Sequence, residues 1–381
     1  MKLKLKNTPE QVELIRAMGS KDNAVAAEAS QAFAAFIGPV VQKVLMHAGS
    51  ASVLYSDLEF DEDDHPSIPL DLWYDQGSDY VQVWSQNIAG GLPTSEVSGL
   101  AEMKVATYRL DSAISWLKRY ARKARLDVIG KGIERMSNEV LVKQERNAWA
   151  VVLRALAEAT TNSLKHVIAS GDANNFIPHD LNRLMTHIKR INTDYQAGSP
   201  DGLTAKGLTD LFMSPEMMQQ VRAFAYHAVN QGQTGSTAAL SANISTGPIT
   251  LPDNVRSDIW SSGGMSSLYG VVLHELLELG SARKYNVLFG SLLASGSITD
   301  IPAGGGGTFS NAGTADELIL GVDLSRESLV RPVAREHDSG GTFSVLPDDQ
   351  FVARAEKMGF YGFLEEGRVC LDARALVGIA V

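Results

Sequence analysis

The chain has 381 residues, of which 44% are hydrophobic and 20% charged, and a formal net charge of −10. Its length exceeds the ~250–300 residues at which a single core stops growing, so two or three lobes are expected. Charged content below the roughly 25% of average proteins, with ordinary apolar content, excludes disorder over the whole chain. The acidic balance excludes bulk coating of nucleic acid, which needs fields of Lys and Arg, though not enclosure of it.

The single Cys370 cannot form an intramolecular disulfide, which suits a reducing compartment. The apolar stretch Phe33 to Met46 is cut by Pro39 and Lys43, short of the ~20 residues a membrane helix needs. Met1 to Lys6 alternates Lys with Leu and lacks the apolar region of a signal peptide, so export is not expected. No internal repeat at a fixed period is visible.

Residues 8–48 read as helical and Ala-rich, with Thr8 as cap and Pro9 in the first turn, interrupted at Gly19 and Gly38-Pro39. An acidic run follows: Asp57, Glu59, Asp61, Glu62, Asp63 and Asp64. Leu70-Asp71-Leu72-Trp73-Tyr74, the turn signal Asp75-Gln76-Gly77-Ser78, and the alternating Tyr80-Val81-Gln82-Val83-Trp84-Ser85 predict a β-hairpin. With the Gly, Ser and Pro of residues 87–99, the stretch 67–102 reads as a long projecting loop around that hairpin. An isolated two-stranded sheet is marginal in water, so it needs a partner.

Leu126, Ile129, Ile133, Met136 and Val140 step by 3, 4, 3 and 4, and the stripe resumes at Ala148, Val151 and Ala155. The spacing predicts a helix of roughly 45–50 Å with one thin apolar face, with Asp127 near its start and Gly171 near its end. Residues 176–340 read as a separate α/β lobe. There Asp180 is expected to cap a short amphipathic helix through Ile191, and Ser214-Pro215-Glu216 to start another. Residues 230–266 and Gly304 to Gly307 read as loops. The tail reads as strands at 317–324, 328–336, 350–357 and 368–376, with Gly340-Gly341 and Glu366-Gly367 between them.

The search for chemistry assigns no catalytic, cofactor-binding or metal-binding residue. His274-Glu275 opens like a zinc-protease motif, but position 278 is Glu, so a structural His is expected. His179 and His187 fall on the polar flank of a short helix and are expected to be solvent-exposed. The run 57–64 lacks the Gly-centred spacing of a calcium loop and reads as a solvated or partner-facing strip. Cys370 lies in an alternating strand without basic neighbours, as an inert thiol would. Lys118, Arg119, Arg122, Lys123 and Arg125 form a basic face on a short helix whose other face holds Ile114, Leu117, Tyr120 and Ala121. It reads as a solvated face, a DNA contact or an intersubunit contact. Between the last two, pairing with the acidic strip of another copy is favoured, because copies of one chain carry both signs.

This order of elements resembles the major capsid protein of tailed bacteriophages, a fold shared with encapsulin shells and the floor of herpesvirus capsids. The residues carrying the resemblance are Leu126-Asp127-Val128-Ile129-Gly130, opening a helix that contains Lys143-Gln144-Glu145-Arg146-Asn147-Ala148-Trp149. Leu211-Phe212-Met213-Ser214-Pro215-Glu216 adds to it, as does the ending Phe351-Val352-Ala353-Arg354-Ala355 through Arg368-Val369-Cys370-Leu371-Asp372. The resemblance implies an α+β capsid fold: N-terminal arm 1–66, extended β-hairpin loop 67–102, peripheral domain 103–175 with a spine helix, axial domain 176–344, and a β-rich return 345–381. It implies a non-enzymatic protein without cofactors, self-assembling into pentamers and hexamers of an icosahedral head around double-stranded DNA, located in the virion and assembled in the host cytoplasm. Portal, scaffold or decoration proteins are further partners it allows. Trp73, Tyr74, Tyr80 and Trp84 are expected at intersubunit contacts, being of types enriched at interface centres, and so are Lys118, Arg119, Arg122 and Lys123. Two alternatives stand beside it, an encapsulin-like compartment with a protein cargo and an intracellular enzyme of unrecognised type.

Overall fold

A computed structural model describes residues 8–47, 49–61, 64–69, 102–123, 125–161, 164–170, 175–191, 207–223, 253–254, 256–257, 267–293, 297–299, 306–308, 316–335, 342–348 and 357–381. In chain order the elements used below are α1 (Pro9–Met18), α2 (Asn23–His47), β1 (Ser56–Asp61), β2 (Ser67–Pro69), β3 (Glu102–Lys104), β4 (Thr107–Leu117), α3 (Lys118–Arg122) and α4 (Leu126–Glu158). There follow β5 (Thr160–Thr161), β6 (Leu164–Lys165), β7 (Val167–Ala169), α5 (Pro178–Ile191), β8 (Asp210–Met213), α6 (Pro215–Ala223), β9 (Ser267–Leu268), β10 (Val271–Glu275) and α7 (Lys284–Leu292). The chain ends with β11 (Ser297–Thr299), β12 (Gly306–Thr308), β13 (Leu318–Val322), β14 (Leu329–Arg335), β15 (Ser344–Asp348), β16 (Lys357–Gly367), β17 (Val369–Cys370) and β18 (Leu376–Ala380). The class is mixed α+β.

The chain divides into two compact units. The first holds the described residues within Met1–Leu70, Leu100–Ala148 and Leu329–Val369; the second holds those within Trp149–Ser328 and Cys370–Val381. These limits differ from the ones read off the sequence. Residues 8–69 are built into the first unit, β14 belongs to it as well, and residues 370–381 serve the second.

In the first unit β16 is the hub. It pairs antiparallel with β4 along its whole length, from Lys357 opposite Leu117 to Gly367 opposite Thr107. On its other side it meets β15, with Ser344 opposite Phe363; Glu366 lies opposite Val333 of β14, which pairs in parallel with β1. Side chains alternate across a strand, so Met358, Phe360 and Leu364 share one face. They form a core with Trp116, with Ile15 and Met18 of α1, with Phe33, Ile37 and Val41 of α2, and with Ile129, Ile133, Met136 and Val140 of α4. Each such side chain contributes about 1.5–3 kcal/mol on burial. That contribution explains why α2 runs unbroken through Gly38-Pro39, where the sequence predicted an interruption. An interior Pro costs about 3 kcal/mol, but Ile37 and Val41 on either side are both buried.

No strand was expected between Lys357 and Arg368, where Glu366-Gly367 reads as a break between strands. Gly359 and Gly362 within β16 are required by packing. A Cβ at Gly359 would lie 2.8 Å from the Ile114 carbonyl oxygen, and one at Gly362 would lie 2.7 Å from the Phe343 ring.

The second unit has a six-stranded sheet in the order β7-β18-β13-β8-β10-β9. Leu211, Met213, Ile319, Val377 and Ile379 point to the side of α5 and α6, packing with Leu181, Leu184, Ile188, Met218 and Val221. Phe212, of opposite parity, meets Trp149 edge-on at 5.2 Å, and Tyr285 stacks on Trp149. Ser214 caps α6 as expected, its Oγ accepting from the Met217 amide. The helix α4 ends at Glu158, well before Gly171, and its second half buries Trp149, Val152, Leu153 and Leu156 in place of Val151 and Ala155. Gly306 and Gly307, expected in a loop, pair in β12 with β11.

Asp180 lies inside the first turn of α5, fully buried, where it accepts from Ser170 Oγ at 2.7 Å. His179 is exposed. His187 is buried, contrary to expectation, with Nε2 donating to the Lys165 carbonyl at 2.9 Å. It falls on the stripe Asp180, Leu184, His187, Ile191, spaced 4, 3 and 4. Burial first, and the neighbouring His166 and Arg183 after it, push its pKa down to about 4.

Two outcomes follow from this packing. Gly359→Ala should lower the unfolding free energy by about 1–3 kcal/mol, measured by urea titration, whereas Gly38→Ala, whose Cβ meets nothing closer than 3.8 Å, should not destabilise. Because the His187 pKa is depressed in the folded state, its stability contribution is complete above the unfolded value of 6.5 and is lost as pH falls toward about 4. That loss is on the order of 3 kcal/mol. Urea midpoints of the parent should drop over that window, and His187→Gln should drop less. Parallel curves would contradict the assignment.

Candidate assembly interface

The residues named as intersubunit contacts fall into three sets in the structure. Trp73, Tyr74, Tyr80 and Trp84 lie outside the described residues, as do the hairpin they were read into and all of the tail strand 350–357 except Lys357, which opens β16. The ends of that segment are described: β2 and β3 pair antiparallel, with Ser67 opposite Lys104 and Pro69 opposite Glu102. Ile68 is buried in this neck, and the Val105 amide donates to the Pro66 carbonyl at 3.0 Å. The described residues on either side of 70–101 are thus held together as one antiparallel pair of strands.

The second set is the basic run. Ile114 and Leu117 belong to β4, and α3 spans only Lys118–Arg122, so the predicted two-faced helix is a strand end with one turn after it. Lys118 is only 6% exposed, which removes it from any exposed strip. Arg119, Arg122 and Lys123 are exposed. Arg119 lies over the Tyr120 ring, 5.2 Å from its centre, and Arg122 Nε donates to the Gly19 carbonyl at 2.9 Å.

The third set is the acidic run expected to meet those cations in another copy. Its first part is β1, and the parallel register with β14 puts Asp57 opposite Arg331 and Asp61 opposite Arg335. Arg331 reaches Asp57 at 3.4 Å and Arg335 reaches Glu59 at 3.6 Å. Two acids of the strip, Asp57 and Glu59, therefore meet arginines of their own chain.

Beneath these surfaces sits a buried carboxylate that no sequence motif announced. Glu366 is fully buried. Its Oε2 accepts from Arg331 Nε at 2.8 Å, from Gln144 at 3.0 Å and from Arg368 at 3.3 Å; its Oε1 accepts from Tyr108 Oη at 2.9 Å. Burial, and Glu366 after it, push the Tyr108 hydroxyl up to about 12, so it stays a donor. Gln144 occupies the gap in the α4 stripe between Val140 and Ala148. That gap was the available signal.

Two uncovered faces of the first unit were also missed. On α2, Val25, Phe36 (44% exposed) and Val40 (37%) are spaced by eleven and four residues, which returns them to one side of a helix. On the sheet, β16 turns Tyr361 and Phe363 away from the core, beside Leu346 of β15, which is 49% exposed. Arg109 of β4 lies 4.0 Å from the Phe363 ring centre and pairs with Asp111 at 2.8 Å. The Tyr361 hydroxyl donates to Asp111. This bond first, with Arg109 adding to it, holds Asp111 below the usual carboxylate range. A groove of about 390 Å³ between β4 and α4 is lined by Arg109, Asp111, Glu139, Lys143 and Arg146.

The groups weighed for chemistry are engaged structurally. His274 Nε2 lies 2.7 Å from Asp210 and its ring stacks on Phe212. Burial pushes the Cys370 thiol up to about 12, far from a thiolate at neutral pH. Among the described residues no group of three or more His, Cys, Asp or Glu is placed to hold a metal ion, and no helix is long and apolar enough to cross a membrane.

No family model matches the chain, and no curated protein matches it. Solved structures similar to it include the mature capsid of bacteriophage PhiM1, 11% identical over 88% of this chain and 87% of that one, with a TM-score of 0.47. The cyanophage Pam1 capsid is 13% identical over 86% and 88%, also with a TM-score of 0.47. The holo-SrpI encapsulin complex of Synechococcus elongatus is 11% identical over 74% and 76%, with a TM-score of 0.38. At these values the likeness is one of outline, and function has to be read from the chain's own residues.

The buried carboxylate makes a direct test. Glu366→Gln leaves Arg368 without a carboxylate partner and Arg331 with only the half-exposed Asp57, and should cost about 3–5 kcal/mol in unfolding free energy. Adding Arg331→Met should recover part of it. Unchanged urea midpoints in the single variant would show that the cluster does not hold this unit together.

Proposed function

We propose that the chain is a major capsid protein, whose copies form the pentamers and hexamers of an icosahedral shell around double-stranded DNA. The observation that carries this reading is the pinned neck of β2 and β3. It fixes both ends of a segment whose sequence holds Trp73, Tyr74, Tyr80 and Trp84, residue types that anchor interface centres. Further support comes from the two uncovered faces of the first unit and from the sequence resemblance of the long helix and the Ser214-Pro215-Glu216 turn.

Such a role needs no reacting group. It needs surfaces whose pairwise contacts are weak alone and closed by symmetry, so that head-to-tail interfaces make rings in place of open filaments. In this reading the aromatic segment of one copy lies on a neighbour. The protein belongs to the virion and is assembled in the host cytoplasm.

Electron microscopy and light scattering of the purified protein should show closed particles, and particles formed in cells should hold nuclease-protected duplex DNA. A protein cargo in its place would indicate an encapsulin-like compartment. A monomer or dimer at high concentration would overturn the shell reading altogether. Trp84→Ala should lower the thermal stability of particles more than that of capsomers; equal shell stability of variant and parent would refute the role given to this residue.

A further inference from the structure

We infer that the corner made by α3 and the turn between α1 and α2 is a contact site for the phosphate backbone of duplex DNA. This rests on the reading of the chain as a shell around DNA and names the surface that meets the cargo.

Between Asp111 and Asp127 the sequence holds five cations and no acidic residue. Lys118 is turned inward, leaving Arg119, Arg122, Lys123 and Arg125 at the surface. A second chain segment joins them. The Arg122 guanidinium holds the Gly19 carbonyl, and the approach is so close that a Cβ at Gly19 would lie 2.7 Å from the Arg122 backbone nitrogen. Lys21, exposed, follows two residues later. The acid of that turn, Asp22, accepts from the Ala24 amide at 3.1 Å at the start of α2. Arg119, Arg122 and Lys123 have no carboxylate partner among the described residues. The Tyr120 ring and the Gly19 carbonyl pre-order the first two.

The partner follows from charge. Copies of this chain carry −10 each and present acids that are in part already matched, since Asp57 and Glu59 of β1 meet Arg331 and Arg335. Duplex DNA offers one negative charge per ~1.7 Å of axis whatever its sequence. Screening over a Debye length of about 8 Å confines the chain's other acids to their own surroundings, so a local cationic corner suffices on an acidic subunit. Contacts of this kind position DNA without reading its bases.

The test is fluorescence anisotropy of a short labelled duplex with the purified full chain, parent and Arg119→Glu/Lys123→Glu, over about 50 to 200 mM salt. Lys118 and Arg122, which the fold uses, are left in place, and matching circular dichroism and urea midpoints verify folding. The parent should bind with an affinity that falls as salt rises. The variant should bind at least roughly tenfold more weakly at the low-salt end, with a log–log slope shallower by about 1.8 for two lost phosphate contacts. Absence of binding by the parent, or equal affinity and slope in both, overturns the inference. So does a variant that binds DNA as the parent does but no longer assembles, which would assign the corner to carboxylates of a neighbouring copy. Because binding is read on the chain in solution, it is decided separately from whether particles form.

Discussion

A carboxylate taken out of water must find several strong donors or be driven to neutrality. Glu366 finds four, and they come from different parts of the chain: Tyr108 of β4, Gln144 of α4, Arg331 of β14 and Arg368 just after β16. The arginines carry the constraint outward. Arg331 also reaches Asp57 of β1, and Arg368 lies over the ring of Tyr55, whose hydroxyl donates to the Ala148 carbonyl of α4. One buried charge thus fixes which strands are neighbours and in what register. A slip of β16 by one residue would turn Glu366 to the opposite face and expose Met358, Phe360 and Leu364 together.

Further along α4 the same logic operates at its surface. Glu145 accepts from Ser50 Oγ and from the Ala51 amide, tying the end of the α2 segment to the long helix. Gly49, at φ +112°, stands where a Cβ would collide with the Glu145 carboxylate. Polar groups thus set the register of elements that apolar burial alone would leave free to slide.

What the sequence disclosed was the periodic part. The 3, 4, 3, 4 spacing from Leu126 to Val140 located α4, and Ser214-Pro215 located the start of α6, because these signals are local. What it hid depended on distant partners. Glu366-Gly367 looks like a break until β4 and β14 pair with it; His187 looks like surface until the Lys165 carbonyl offers it an acceptor. The end of α4 was placed too late because Glu158 is followed by no Gly or Pro, only by Thr160-Thr161, whose β-branched side chains suit the short strand β5. Pairing of acids with bases was read between copies because sequence order gives no hint that β14 lies beside β1. Trp73, Tyr74, Tyr80 and Trp84 remain readings of residue type at a candidate interface.

The uncovered faces bear on how such a chain would live. A helix apolar on every side belongs in an interior, and α2 comes near this: Phe33, Ile37 and Val41 fill the core, while Val25, Phe36 and Val40 face outward. On the sheet Leu346 does the same, beside the half-buried Tyr361 and Phe363. Each apolar side chain left in water forgoes part of about 1.5–3 kcal/mol, a standing cost that a solitary protein gains nothing by keeping. For a subunit of a closed assembly the same exposure is useful, because several modest faces, each too weak to hold two copies for long, become strong only when all are covered at once. An acidic chain adds the opposing term. At −10 per copy, like charges resist association until enough faces meet. Weak attraction on several faces against diffuse repulsion favours the completed ring and disfavours the loose pair.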